Sequence, residues 1–224
     1  MNARFPFAFH HCRDYIIPER DNFDIDAVCD ADEIAREMAA CETQHSEAYC
    51  ESLCLYRAIA EQLPRLERFV FHGAAVSIDG KGFIFTAPSG TGKTTHIDLL
   101  MSNYPENVSI INGDKPIIHV ADNAARVCST PWAGKEGLNA NVSCDLAGIV
   151  LLRRGEVNRI RQIQPNDYFA DIVAQTYFPK DSMARLQTFE LLDKLARTVP
   201  FYVLECNISA DAAKTSFEEL KTKA

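Results

Sequence analysis

The feature that most constrains this chain is a glycine-rich loop, A-P-S-G-T-G-K-T, at residues 87–94. It lies between a short apolar run, G-F-I-F-T at 82–86, and the start of an amphipathic helix, T-H-I-D-L-L-M at 95–101. A strand, a glycine-rich turn and a helix in that order bring several backbone N–H groups and a helix N-terminus to one point, which makes an anion site. The pattern therefore predicts binding of nucleotide phosphate groups.

The residue types within this loop predict separate roles. Lys93 can reach the β- and γ-phosphates as a point charge, and the Thr94 hydroxyl suits a Mg²⁺ ion that accompanies a nucleotide. Ala87 stands where the motif G-x-x-x-x-G-K-[ST] has its first glycine, which is tolerable if this residue has negative φ. We expect the nucleotide to contact the rest of the loop and the helix start, namely Ser89, Gly90, Thr91, Gly92, Lys93, Thr94 and Thr95.

Composition excludes several classes of protein. With 47% hydrophobic and 24% charged residues, the chain is typical of a soluble globular protein. A formal net charge of −8 argues against a nucleic-acid partner, because phosphate neutralisation needs clustered lysine and arginine. The N-terminus has no apolar segment of signal-peptide length, and no stretch approaches the length of a membrane span. We therefore expect a cytoplasmic protein without a membrane partner.

The eight cysteines contain no C-x-x-C pair, so the spacing resembles neither a zinc site nor a disulfide framework. Reduced, mostly buried thiols are the expected state. Cys50 and Cys54 are four residues apart on a predicted helix, and a metal site with His45 or with the H-H-C run at 10–12 is the alternative.

The N-terminal part of the chain is predicted to be partly helical. Aromatics and prolines at residues 1–30 indicate extended segments, and the acidic start at Asp30 followed by apolar residues at helical spacing predicts a helix over 31–42. A second helix is expected from Ser46, with Tyr49, Leu53, Tyr56, Ile59, Ala60 and Leu63 on one face, and Pro64 ends it.

The rest of the chain alternates strands and helices. Asp79-Gly80 predicts a hairpin between strands at 69–78 and 82–86, and L-A-G-I-V-L-L-R at 146–153 predicts a central strand. Further strands are expected at 108–111, 116–120, 126–129 and 201–206, and further helices at 165–176, 181–197 and 211–220. The prediction is one compact α/β unit with an N-terminal appendage over 1–65 and a nucleotide-binding domain over 66–224.

Two residues outside the loop are candidates for chemistry. Asp114 follows the apolar run V-S-I-I, where a carboxylate at a strand end can hold Mg²⁺ or accept a hydroxyl proton. Its alternative role is that of a turn former in N-G-D. His72 precedes the loop by one hairpin and can face the phosphates, or it is a structural histidine of a strand.

A second loop, T-P-W-A-G-K-E-G at 130–137, carries Lys135, Glu136 and Trp132, the single tryptophan of the chain. A cation, a carboxylate and a large flat side chain on a flexible segment can close over a phosphate or an acceptor. The alternative is a surface turn in which Trp132 is a packing anchor.

The run from His72 through the loop to Thr95, H-G-A-A-V-S-I-D-G-K-G-F-I-F-T-A-P-S-G-T-G-K-T-T, is followed about twenty residues later by I-N-G-D. It resembles the catalytic domain of the HPr kinase/phosphorylase family, and S-G-T-G-K-T-T is also similar to the loop of ATP-dependent phosphoenolpyruvate carboxykinase, which shares that fold. The similarity spans roughly 66–210. It implies a P-loop domain of this type with a mixed rather than purely parallel sheet.

The resemblance implies an ATP- and Mg²⁺-dependent kinase that acts on a hydroxyl of a protein, peptide or small molecule. Family roles transfer to His72, to Lys93, to Thr94 as a metal ligand, and to Asp114 as an acidic residue at the metal. The family usually has two adjacent aspartates after this strand, whereas this chain has Gly113-Asp114. Either Asp114 covers both roles, or Glu136 or another group supplies the base, or catalysis is lost.

The HPr-docking signature and separate N-terminal domain of true HPr kinases are not recognisable, so HPr is a doubtful acceptor. A module that senses nucleotide without turnover is the alternative function. A carboxykinase-like enzyme is a weaker one, since no arginines matching its substrate site are recognisable.

Overall fold

The structure is a computed structural model that describes residues 1–17, 22–41 and 43–223. Its helices are α1 (Pro6–Cys12), α2 (Ala31–Ala40), α3 (Glu47–Gln62), α4 (Lys93–Asn103), α5 (Phe169–Ala174), α6 (Ser182–Thr198) and α7 (Ala210–Leu220). Its strands are β1 (Arg68–Val70), β2 (Ala74–Ile78), β3 (Lys81–Thr86), β4 (Val108–Asn112), β5 (Ile117–Val120), β6 (Ala125–Cys128), β7 (Ser143–Arg154), β8 (Arg159–Ile163) and β9 (Phe201–Cys206).

The strands of the described residues form one mixed sheet, as expected. Strands β3, β7 and β9 are parallel neighbours at its centre. On one side β2 pairs antiparallel with β3, and β4 pairs antiparallel with β2. On the other side β8 pairs antiparallel with β9. The first residues of β7 also continue, through antiparallel pairs, into β6, β5 and β1, so the long strand β7 joins two branches of the sheet.

Hydrophobic cores cover both faces of the central strands. Side chains alternate along a strand, so Ile149 of β7 packs into the core beneath α5 and α6 while Val150 packs beneath α4 and α7. Both side chains are fully buried. This explains why the apolar run at 146–153 reads as a continuous rather than an alternating pattern.

The β2–β3 hairpin has the turn that its sequence predicts. Asp79 and Gly80 both have positive φ, at 47° and 88°, as a two-residue turn of type I′ requires. The preceding predicted strand at 69–78 is divided in two, however. Residues 68–70 pair with β5 and residues 74–78 pair with β3 and β4, so His72 lies in the break between β1 and β2.

The N-terminal appendage is more helical than expected. Residues 6–12 form α1 instead of an extended segment, because Pro6 occupies a first-turn position, where its missing N–H costs nothing. Ala8 and Cys12 of this helix are buried. Helix α2 begins after Asp30, and Asp30 and Glu33 form a reciprocal capping box at its start. Helix α3 starts after Ser46, but Tyr49 of its predicted apolar face is exposed.

Strand β8 was not expected, since its sequence R-I-R-Q-I alternates charged and apolar residues over only five positions. It lies at an edge of the sheet, beside β9. The cysteines of the described residues are free thiols, and within those residues no cluster of three histidine, cysteine, aspartate or glutamate side chains is arranged to hold a metal. Across the described ranges, none of the helices has the length and apolarity needed to cross a bilayer.

One buried histidine lies beneath the glycine-rich loop, on the first turns of α4. His96 is 2% exposed, and its Nε2 lies 2.9 Å from the hydroxyl of Ser216. The Ser216 hydroxyl donates to the carbonyl of Ala213, so His96 Nε2 carries the proton of this pair. Its Nδ1 has no hydrogen-bond partner in the described part of the chain. Burial lowers the pKa of His96 to about 4.

His96 therefore makes stability depend on pH. Between about pH 6.5 and pH 4 the unfolded chain binds a proton at this histidine that the folded protein does not, so the free energy of unfolding falls by about 3 kcal/mol as the pH drops through this window. We expect His96→Gln to remove that component in urea unfolding at pH 7.5 and pH 4.5, whereas His10→Gln, at an exposed histidine, leaves it in place. An unchanged pH dependence in His96→Gln would show that His96 binds a proton equally well in the folded and unfolded chain and would contradict this account.

Candidate functional site

The glycine-rich loop joins β3 to α4 and leaves the helix N-terminus open. Gly90 and Gly92 have φ of 77° and 121°, which side-chain-bearing residues rarely adopt. Gly92 is the N-cap of α4, and no side chain caps this end, so the first-turn N–H groups are available to an anion. Ala87 has negative φ, which meets the condition for alanine at the position of the first motif glycine.

Arg154 holds the outer side of this loop from the end of β7. Its guanidinium donates to the carbonyl of Gly90 at 2.5 Å and to the carbonyl of Thr91 at 3.1 Å. In a trans peptide the C=O and N–H groups point to opposite sides, so a Thr91 carbonyl held by Arg154 turns the Gly92 N–H the other way. The contact of Arg154 with the loop was not predicted, because more than 60 residues separate them and no local sequence pattern indicates it.

Lys93, the loop lysine, is buried and folds back over the loop. Its Nζ donates to the carbonyl of Ala87 at 2.8 Å. Burial lowers the pKa of Lys93, the charge of Asp114 opposes that change, and Lys115 adds to it. The ammonium group is thus held among loop atoms and is influenced by charges across the cavity.

His72 is fixed on one ring nitrogen and faces a carboxylate with the other. Its Nδ1 lies 2.6 Å from Oε1 of Gln175, and its Nε2 lies 3.2 Å from Oδ1 of Asp114. The backbone is also held, since the N–H of His72 donates to the Gln175 carbonyl at 2.7 Å and Thr86 donates to the His72 carbonyl at 2.7 Å. Gln175 follows α5 and was not predicted, as 103 residues separate the two side chains.

Asp114 is a carboxylate surrounded by cationic and polar donors. Lys115 pairs with its Oδ2, while His72 approaches its Oδ1. Burial favours the neutral acid, but the hydrogen bonds from His72 and Lys115 outweigh that effect and lower the pKa of Asp114 to about 2. The group is therefore ionised at neutral pH. Lys115 was not singled out from the sequence, although its place next to a candidate carboxylate was a usable signal.

The buried amide of Asn112 shapes the turn that carries Asp114. Its Oδ1 accepts from the N–H of Asp114 at 2.9 Å and from the N–H of Lys115 at 2.7 Å. The neighbouring Gly113 is tightly packed, since a Cβ there would lie 3.0 Å from the carbonyl oxygen of Ala133. A side chain at 113 would therefore be tight against the 130–137 loop and Leu138, which would have to shift by a few tenths of an ångström to admit a second carboxylate.

The loop at 130–137 packs against this turn. Gly134 has φ of 78°, and a Cβ at that position would lie 3.1 Å from the Cβ of Asp114. Lys135 and Glu136 follow on the exposed part of the loop. Trp132 points away from them. It donates from Nε1 to the Ser52 hydroxyl at 3.1 Å and packs against α3, so it is a packing anchor for the appendage.

These groups line one cavity of about 570 Å³. Every residue predicted for the site contributes to its wall except Thr91, which lines two neighbouring cavities of about 470 and 440 Å³ beside the loop. Three lysines and His72 face two carboxylates here, so the wall carries an excess of positive charge. The full lining comprises His72, Ser89, Gly90, Gly92, Lys93, Thr94, Thr95, Gly113, Asp114, Lys115, Gly134, Lys135 and Glu136.

The donor set of the cavity fits Mg²⁺. The Thr94 hydroxyl and the Asp114 carboxylate are hard oxygen ligands that line the same cavity. Mg²⁺ in nucleotide sites uses one or two protein ligands together with phosphate oxygens and water, so a larger cluster is unnecessary. Each Asp114 oxygen keeps a second lone pair beside its contact with His72 or Lys115.

No family model matches the chain, and no curated protein matches it. Among solved structures it is similar to the HPr(Ser) kinase/phosphatase from Coxiella burnetii, with 10% sequence identity and a TM-score of 0.42. The similarity covers 68% of this chain and 88% of that chain. A likeness at this level assigns neither ligand nor activity, so the function is inferred from the geometry of the chain's own site.

Proposed function

We propose that this protein binds Mg-ATP and transfers the γ-phosphoryl group to a hydroxyl of a protein, peptide or small-molecule acceptor, as a kinase of the HPr-kinase-like, carboxykinase-type P-loop class. The observation that carries the proposal is the meeting of two features on one cavity. The open N-terminus of α4 with Lys93 forms one wall, and the cluster of His72, Asp114 and Lys115 forms another. The first feature can bind the phosphates of a nucleotide, and the second can contact the phosphoryl group during its transfer.

The binding half of the proposal depends on charge and fixed dipoles. The loop amides and Lys93 would hold the β- and γ-phosphates from the helix side, where the helix dipole adds favourable potential. Lys135, on the opposite loop, would clamp the phosphates from the exposed side. Thr94 and Asp114 would hold Mg²⁺, which neutralises phosphate charge when it is bound with the nucleotide.

The transfer half needs positioning more than covalent chemistry, since phosphoryl transfer has a loose transition state with charge on its equatorial oxygens. His72 would face the transferring group through Nε2, oriented by the hydrogen bond between Nδ1 and Gln175. Asp114 would orient the acceptor hydroxyl. Its low pKa makes it a weak base, so orientation and metal binding are its larger contributions, while Glu136 is the other carboxylate within the cavity.

Nucleotide binding is tested by thermal unfolding. A ligand at 100 times its dissociation constant stabilises the fold by about 2.7 kcal/mol, which for a chain of this size raises Tm by about 5–10 °C. We expect Mg-ATP to give this rise in the parent protein. The matched variant Lys93→Ala, which should remain folded, should lose most of it. If no nucleoside di- or triphosphate shifts Tm of the folded parent, the proposal fails.

The role of Asp114 is tested by a pair of isosteric substitutions. Asp114→Asn removes the charge that would hold Mg²⁺ and orient the acceptor, so we expect phosphoryl transfer to fall by about 100-fold or more while nucleotide affinity is largely kept by the loop and Lys93. Glu136→Gln is the control and should retain most of the rate. A dead Glu136→Gln with an active Asp114→Asn would move the base to the 130–137 loop.

A second candidate function is nucleotide sensing without turnover. It is favoured by the turn at Gly113, which lacks a second carboxylate and is tightly packed, and by the engagement of both Asp114 oxygens with His72 and Lys115. A Tm rise with Mg-ATP but no phosphate release and no labelled acceptor in a cell extract would identify this function instead.

A further inference from the structure

Tyr15, in the N-terminal appendage, contacts residues at both ends of the 130–137 loop of the proposed site. It ends a short 3₁₀ turn, Arg13–Tyr15, that follows α1. Its hydroxyl lies 2.7 Å from Oγ of Ser129, 3.0 Å from the carbonyl oxygen of Thr130 and 3.0 Å from Oδ1 of Asn139. More than 110 residues of chain separate Tyr15 from each of these partners, so the contacts are purely tertiary.

One of the partners, Thr130, leads directly to the turn of Asp114. The Thr130 carbonyl that Tyr15 contacts also accepts from Nδ2 of Asn112 at 2.9 Å. The other end of the same amide, Oδ1, accepts from the backbone N–H groups of Asp114 and Lys115. The Thr130 hydroxyl adds a further link to the same turn, because it donates to the Lys115 carbonyl at 2.8 Å. Two groups, the Thr130 carbonyl and the Asn112 side chain, thus lie between the Tyr15 hydroxyl and the backbone N–H of Asp114.

The partner Asn139 leads to the 130–137 loop. Asn139 forms an isolated β-bridge with Asn112, and the adjacent Leu138 carbonyl accepts from the N–H of Gly113 at 2.7 Å. The carbonyl of Asp14, next to Tyr15, accepts from Nδ2 of Asn141 at 2.7 Å. The N-terminal segment therefore holds both the strand end that carries Asp114 and the base of the loop that carries Lys135 and Glu136.

The protonation state and hydrogen-bond partners of the Tyr15 hydroxyl suit a structural hydrogen-bond donor. Burial raises the pKa of Tyr15, so the hydroxyl keeps its proton at neutral pH. The Ser129 hydroxyl donates to the Ile111 carbonyl at 2.6 Å, so the single proton of the Tyr15 hydroxyl is shared among three acceptors, namely Oγ of Ser129, the Thr130 carbonyl and Oδ1 of Asn139. A polar network of this kind is rigid only when its members are satisfied, and loss of one donor loosens its neighbours.

We propose that Tyr15 is a positioning residue, which holds Asp114 and the 130–137 loop in place beside each other at the cavity and so makes the N-terminal appendage part of the working site. The kinetic side of this inference rests on the proposed kinase function. Its structural side does not, because it concerns hydrogen bonds at the Asp114 turn.

The test is Tyr15→Phe, which keeps the ring and removes the hydroxyl. Tyr49→Phe, on the exposed face of α3, is the matched control. Hydrogen exchange of the peptide that contains the amides of Asp114 and Lys115 is measured first. We expect exchange to be about tenfold faster in Tyr15→Phe and unchanged in the control. The urea unfolding midpoint of Tyr15→Phe is measured alongside, so that faster exchange confined to this peptide is distinguished from a loss of global stability.

Steady-state kinetics is the second readout. We expect kcat to fall about tenfold in Tyr15→Phe with KM for ATP within about twofold of the parent, since Asp114 would act on transfer and the loop on binding. Unchanged exchange overturns the inference whatever the kinetics. Faster exchange with unchanged kcat, or a change confined to KM, also overturns it. A parent without turnover contradicts the proposed function, and the exchange result then decides the inference alone.

Discussion

The register of the β2–β3 hairpin is the constraint on which the site depends. Ala74 lies opposite Phe85 across the hairpin, and Ala75 lies opposite Asn112 on the other side of β2. Because β2 runs against both neighbours, its beginning meets the ends of β3 and β4 at one edge of the sheet. His72, the glycine-rich loop and the turn after Asn112 come together there for that reason. If β2 slipped by one residue against β3 or β4, its side chains would point to the opposite face of the sheet, and these three elements would no longer meet.

Electrostatics then sets what this edge can hold. The open N-terminus of α4 and three lysines make the cavity attractive to anions, while Asp114 supplies the negative charge that a divalent cation needs. Hydrogen bonds from His72 and Lys115 lower the pKa of that carboxyl group, and Lys115 occupies one of its oxygens. The site is thus built around a charge that is already paired, so a metal bound there has to share Asp114 with Lys115. The same pairing makes the sensing alternative physically reasonable.

The parts of the fold with local signals were predictable. The loop at 87–94 and the turn at Asp79-Gly80 have residues whose conformational demands fix the local chain, and the central strand has a long apolar run. Strand β8 has neither a long run nor a strong turn, and its identity comes from pairing with β9. The roles of Gln175 and Arg154 were beyond the sequence because each acts across 60 or more residues. Trp132 could be read as a lid or an anchor, and only tertiary packing decides between them.

Phosphoryl transfer is tested most directly by following the phosphoryl group itself. The parent protein and Lys93→Ala are incubated with Mg²⁺ and ATP labelled at the γ-phosphate, in a cell extract cleared of nucleotides, and labelled species are separated and identified. We expect an acid-stable phosphate ester on a hydroxyl acceptor that forms with the parent and not with the variant. Equal labelling with both proteins, or label only in free phosphate or unreacted ATP, would contradict phosphoryl transfer to an acceptor at this site.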